Sequence, residues 1–188
     1  MVTLMNSIGL IIVATNWLNA AKKKIESTAM EKTRVLFVCL GNICRSPLAE
    51  GIFSKKVEEA GLSHRFVIDS CGTSAFHIGE QPDPRTRANA RDNGVLLDHQ
   101  ARQFLADDFD RFDYILPMDA SNLRNVRSLE PATYQAKVTM MRDYDREGRG
   151  MDVPDPYYGG SRGFQNVFDI LERSTEELLE TIKAERGL

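Results

Sequence analysis

From residue 34 onward the chain alternates short apolar runs with longer stretches in which apolar residues recur every three or four positions. Residues 35–38 (VLFV) form a continuous apolar run, the mark of a strand buried on both faces. Ser46-Pro47 then reads as a helix start, because proline is pre-set for a first helical turn. Leu48, Ala49, Ile52, Phe53, Val57 and Ala60 follow at helical spacing, and Gly61 closes the run. The same reading predicts a second strand over 66–69, a helix over 86–93 ended by Gly94, and a third strand over 112–118. A helix from 120 to about 127 and a fourth strand over 137–141 come next. Phe164, Val167, Phe168, Leu171, Leu178, Leu179 and Ile182 mark a long final helix, with Ser161 as its candidate cap. No internal repeat or low-complexity tract interrupts the series.

Alternating strands and helices predict an α/β fold: one domain with an open four-stranded parallel sheet and helices on both faces. Ligands of such sheets sit at the carboxyl ends of the strands. The loop between the first strand and the first helix lies at such an end. Residues 1–29 do not join this pattern. Residues 2–20 are mostly apolar, but Asn6, Ser7, Asn16 and Asn19 interrupt them, which is short and polar for a membrane span. No basic stretch precedes the apolar run, as a signal peptide would require. The expectation is that the domain covers 30–188, that Met30 is its natural start, and that 1–29 are a loose extension or no part of the native protein. Membrane attachment is not expected.

The chain has 188 residues, 42% hydrophobic and 27% charged, which suits a single soluble globular domain. Its formal net charge is −3, and Lys22 to Lys24 is the only basic stretch. A nucleic-acid partner, which demands a concentrated basic face, is therefore not expected. Three cysteines are too few, and odd in number, for a secreted disulfide scaffold. A reducing, cytoplasmic setting fits better.

The chemistry concentrates in CLGNICRS, Cys39 to Ser46. The backbone N–H groups of Leu40, Gly41, Asn42, Ile43, Cys44, Arg45 and Ser46, turning into a helix, make an anion nest. Arg45 adds a planar fork suited to phosphate. A thiol at the strand end facing this positive cup is held as thiolate, so Cys39 is the candidate nucleophile. The turn needs unusual backbone angles, which Gly41 and Asn42 tolerate best. G-x4-G-K-[ST] is absent, so this is no nucleotide-binding loop. Cys39 and Cys44 have no matching second pair and the three histidines are scattered, so no metal site is expected. No cofactor is expected either. Cys71 reads as a buried structural residue.

Together with DPYYGG at Asp155 to Gly160, the CLGNICRSP run resembles the low-molecular-weight protein tyrosine phosphatases. DSCGTSA (Asp69 to Ala75), DHQARQF (Asp98 to Phe104) and DYILPMDASNLR (Asp113 to Arg124) agree with that resemblance, which spans about 34–186. It implies an acid-phosphatase-type, cysteine-dependent enzyme that hydrolyses protein phosphotyrosine and small aryl phosphates through a phosphocysteine on Cys39. Arg45 would bind the equatorial oxygens, Ser46 would stabilise the leaving thiolate, and Asp155 would act as general acid and then base. Read without the resemblance, an Asp between Pro154 and Pro156 is a turn residue. The resemblance also makes Asn42, Ser70 and His99 supports of the loop. Ile43 is placed on the pocket floor, Tyr157 and Tyr158 on one wall and Phe76 on the opposite rim. Cys44 is implied as a resolving thiol that traps oxidised Cys39 as a disulfide.

The implied partners are phosphotyrosine-bearing proteins, with a tyrosine kinase as a further candidate, and the expected state is a monomer or weak dimer. Two relatives on the same scaffold offer alternatives. Arsenate reductases of this type need two further cysteines downstream, and none follows Cys71. Protein arginine phosphatases tend to place Thr at the position of Ile43 and Phe-Gly at that of Tyr157-Tyr158. Both departures favour phosphotyrosine.

Overall fold

The computed structural model describes residues 32–158 and 160–188. The expected extension, 1–29, lies outside the described residues. Four strands, β1 (Thr33–Cys39), β2 (Phe66–Gly72), β3 (Tyr114–Pro117) and β4 (Lys137–Val138), form one sheet in the order β2-β1-β3-β4, all parallel. Between and after them run α1 (Arg45–Glu59), α2 (Pro84–Asp92), α3 (Asp108–Arg111), α4 (Ala120–Arg127) and α5 (Gly160–Arg186). The chain leaves β1 for β2 on one side and returns to β3 on the other. The strand order therefore reverses at β1, and a crevice opens at its carboxyl end.

Period-two alternation in β1 explains the layering. Val35, Phe37 and Cys39 face a core shared with α1, α2 and α5, while Leu36 and Val38 face a second core with Phe104, Phe109, Ile115 and Val126. All four residues from Val35 to Val38 are fully buried, which is why the run carries no polar residue. In the larger core the Phe53 ring meets Phe37 and Phe66 edge-on, each at 5.7 Å between centroids.

Both predicted helix-closing glycines close their helices. Gly61 (φ +71°) and Gly94 (φ +72°) take left-handed backbone. The following residues reach back, Leu62 N–H to Val57 O at 2.9 Å and Val95 N–H to Ala90 O at 2.8 Å. Several boundaries differ from expectation. β2 runs three residues further, to Gly72, because its register with β1 continues to Cys39↔Gly72. β3 begins at Tyr114, since the Phe112 N–H is spent on Asp108 O at the end of α3. α3 itself, DFDR, is too short and acidic to show a period. The predicted fourth strand shrinks to Lys137–Val138. Asp143 Oδ2 accepts from Thr139 Oγ1 (2.7 Å) and Met140 N–H (3.0 Å), drawing the chain into a 3-10 turn at Met141–Tyr144. α5 starts at Gly160, so Ser161 lies inside the helix and not at its cap position. No described helix is long and apolar enough to cross a membrane.

Removing the central ring should leave a cavity that the sheet and two helices cannot close. Phe53→Ala is expected to lower unfolding stability by about 3–5 kcal/mol, measured by urea titration.

Candidate active site

β1 ends at Cys39, and residues 40–44 turn the chain into α1. Two bonds tie the turn to the end of β2: Thr73 N–H donates to Cys39 O (2.8 Å) and Ser74 N–H to Leu40 O (2.9 Å). Gly72 makes this approach possible. A Cβ there would stand 2.7 Å from Leu40 O and 3.1 Å from Asn42 N, both backbone atoms of the loop. Of the two residues expected to carry unusual angles, only Asn42 does, at φ +56°, the one non-glycine residue with positive φ among those described. Gly41 has ordinary φ. Its small size matters instead, since a Cβ there would lie 2.9 Å from the His77 ring.

Asn42 is buried and its side chain fills every hydrogen-bonding position it has. Nδ2 donates to Ser46 Oγ (2.9 Å) and Ser70 Oγ (2.8 Å). Oδ1 accepts from the Arg102 N–H (2.9 Å) and from His99 Nε2 (2.8 Å). The Arg102 backbone donor fixes Oδ1 as the acceptor, so His99 Nε2 is a donor to it. Behind this layer Glu50 Oε2 accepts from Ser70 Oγ at 2.7 Å and lies 3.1 Å from His99 Nδ1. Glu50, Asp69 and His99 bring ligand-type atoms within 4.8 Å of one another. Each already holds a protein partner, Asp69 taking Arg102 Nε at 2.9 Å.

With its backbone so held, Asn42 aims its own N–H at Cys39 Sγ, 3.2 Å away. Ser46 Oγ lies 3.0 Å from the same sulfur and 3.2 Å from Cys71 O. The hydroxyl has one proton, which a negatively charged sulfur would take in preference to a neutral carbonyl. Arg45 lies beside them, its side chain 5% exposed. Its Nη1 donates to Asp119 Oδ2 (2.6 Å) and Val153 O (3.0 Å), and Nη2 is 3.5 Å from Asp155 Oδ2. Burial alone would lower the Arg45 pKa, but the Cys39 sulfur and the Asp119 carboxylate beside it push it up overall.

Cys39, Arg45 and Asp155 face an open cup of about 330 Å³. Cys39, Leu40, Gly41, Ile43, Cys44, Arg45, Asp155 and Tyr157 border it, with His77 on the rim. The sequence-predicted residues divide around it. Asn42, Ser46, Ser70 and His99 stand behind the cup as its frame. Phe76 does not line it. The turn at residues 74–79 leaves that ring 88% exposed and brings its neighbour His77 to the cup instead. The backbone of Tyr158 is in the 3-10 turn Pro156–Tyr158.

A family model described as low molecular weight phosphotyrosine protein phosphatase matches residues 34–188. The chain belongs to that family. It is 49% identical over 150 residues to the low molecular weight phosphotyrosine protein phosphatase of Schizosaccharomyces pombe, covering 79% of this chain and 96% of the relative. A crystal structure of protein tyrosine phosphatase from Entamoeba histolytica is similar at 41% identity and TM-score 0.77, over 83% of this chain and 99% of that one. A crystal structure of drosophila arginine phosphatase is similar at 32% identity and TM-score 0.74, over 79% and 97%.

Two residues of this family member escaped the sequence reading. Asp119 bonds the buried guanidinium while its other oxygen caps α4, accepting from Asn122 N–H at 2.7 Å. In sequence it is indistinguishable from any helix cap. His77 sits three residues before Glu80, to which its Nδ1 pairs at 2.8 Å, and no spacing marks it as a rim residue. The two other cysteines differ from the strand-end thiol. Burial pushes Cys44 up to about 12, and Cys71, fully buried in β2, well above the ordinary thiol value.

The close approach at Gly72 yields a test of the loop's seating. Gly72→Ala should abolish most phosphate binding and turnover while leaving a folded chain, because the added methyl displaces the Leu40–Asn42 backbone. Inhibition by orthovanadate and circular dichroism would be measured together.

Proposed function

We propose that the protein hydrolyses protein phosphotyrosine in two displacements through a phosphocysteine. The observation carrying this reading is that Cys39, Arg45 and Asp155 border one cup, with backbone N–H and hydroxyl donors around the sulfur. Cys39 Sγ attacks phosphorus, an S–P bond forms and the bond from phosphorus to the phenolic oxygen breaks. Asp155, in its acid form, gives that oxygen a proton. Arg45 and the loop N–H groups take the charge on the equatorial oxygens. Asp155 then draws a proton from water as the water attacks phosphorus. The S–P bond breaks, and the Ser46 hydroxyl stabilises the departing thiolate. Ile43 and Tyr157 give the cup apolar walls suited to an aryl group. Phosphotyrosine-bearing proteins, and hence the action of a tyrosine kinase, are the proposed context.

Similarity to an arginine phosphatase supports a second reading, phosphoarginine hydrolysis by the same nucleophile. Peptides carrying phosphotyrosine, phosphoserine or phosphoarginine separate the two. Phosphotyrosine should turn over fastest, and a phosphoarginine preference would replace the first reading. Asp155→Asn should lower kcat/KM for phenyl phosphate about 10²–10⁴-fold and far less for dinitrophenyl phosphate, whose phenolate departs without a proton. Equal losses would remove Asp155 from the general-acid role.

Cys44 is proposed as the partner of an oxidised Cys39. Peroxide converts the Cys39 thiolate to sulfenic acid. The Cys44 sulfur then displaces the hydroxyl, which leaves as water with the Cys44 proton, and a disulfide forms. After peroxide and then dithiothreitol, wild type should regain most of its activity and Cys44→Ser little of it. Full recovery of the variant would reduce Cys44 to a packing residue.

A further inference from the structure

The start of α2 touches both halves of the site. The Asp83 N–H donates to the Ile43 carbonyl of the phosphate loop at 2.8 Å. Two residues on, Arg85 folds back onto Asp83. Asp83 Oδ1 accepts from the Arg85 backbone N–H (2.8 Å) and from Nε (3.0 Å), while Oδ2 accepts from Nη2 (2.8 Å). Nη1 reaches in the other direction and donates to the Tyr157 carbonyl at 3.1 Å. The guanidinium also lies 4.9 Å from the centre of the Tyr157 ring and 4.9 Å from that of Phe164, a buried residue of α5. The side chain is 48% exposed, and the fork onto the carboxylate with the two rings against it sets its orientation.

Tyr157 carries this constraint to Asp155. Its N–H donates to Asp155 Oδ1 at 3.1 Å, an Asx-type turn that orients the carboxyl while Oδ2 faces Arg45. Asp155 is 48% exposed and ends a stretch, 151–155, without helix or strand. On its N-terminal side the chain is pinned at buried Val153, whose N–H donates to Met118 O at 2.8 Å, and on its C-terminal side the contacts of Tyr157 hold it.

We propose that Arg85 is a positioning residue for the general acid: by holding the carbonyl and ring of Tyr157, it keeps Asp155 at the cup that Cys39 also borders. Through Asp83 it sets the acid-bearing loop in register with the phosphate loop. Arg85 does not line the cup, so it acts through Asp155 and not on the phosphate. The inference rests on the general-acid role given to Asp155 above. A purely structural role for the pair, capping α2, belongs to the Asp83 carboxylate and the Arg85 backbone, and survives loss of the Arg85 side chain.

The test is a leaving-group series, phenyl to 2,4-dinitrophenyl phosphate, run on wild type, Arg85→Gln, Arg85→Lys, Asp155→Asn and the double variant Arg85→Gln/Asp155→Asn. Displacing a catalytic group by about an ångström costs up to ~10²-fold, so Arg85→Gln should lower kcat/KM for phenyl phosphate about tenfold. Dinitrophenyl phosphate, which needs no proton, should lose less than about twofold. Arg85→Lys, which keeps the charge but not the fork, should fail in the same direction. Inhibition by inorganic phosphate should stay unchanged in both, which also reports an intact fold. In the Asp155→Asn background Arg85→Gln should cost nothing more. Uniform loss across leaving groups, weakened phosphate inhibition or full additivity would overturn the proposal. A flat series for Asp155→Asn would fell the general-acid assignment and this inference together. A steep series for Asp155→Asn beside a flat one for Arg85→Gln would overturn the inference alone.

Discussion

The left-handed backbone of Asn42 is the constraint on which the site depends. A non-glycine residue at φ +56° costs on the order of 1–2 kcal/mol. Glycine would adopt the angle freely but would bring no side chain. Asparagine tolerates the angle and has two donor and two acceptor positions, all filled here by Ser46, Ser70, Arg102 and His99. Those partners come from α1, from β2 and from the 99–102 segment. One side chain thus joins three parts of the fold behind the loop, and the backbone N–H in front of it turns toward the Cys39 sulfur.

Arg45 meets a related difficulty with charge. Burying a guanidinium costs several kcal/mol unless its partners replace water. Asp119 and the Val153 carbonyl do so, and each also holds the group at the cup wall. A phosphate group entering the cup therefore meets a cation already desolvated and oriented. Such preorganised groups need no rearrangement at the moment of reaction.

The two halves of the site differ in rigidity of attachment. Cys39 and Arg45 sit on a strand end and a helix start and are almost wholly buried, whereas Asp155 rides on an exposed loop. Arg45 reaches the exposed half directly at Val153 O and Asp155, and the Asp83–Arg85 pair adds a second link from the phosphate loop to Tyr157.

What could be read directly from the sequence was whatever short stretches encode by themselves. The buried strand at 35–38, the helices with their closing glycines and the turn that joins β1 to α1 all depend on neighbours within a few residues. The apolar periods and turn residues state them directly. The shortening of β4 escaped, because Asp143 competes for the backbone in a way that apolar pattern does not express. Asp155 was visible through resemblance alone, since its own surroundings read as a proline-bounded turn. Asp119, His77 and Arg85 carried no local mark. Asp119 meets Arg45 from 74 positions away, and Arg85 meets Tyr157 from 72. A charged or polar residue on a helix start looks alike whether it faces water or a buried cation. Only the packing of the chain against itself decides which of those it meets.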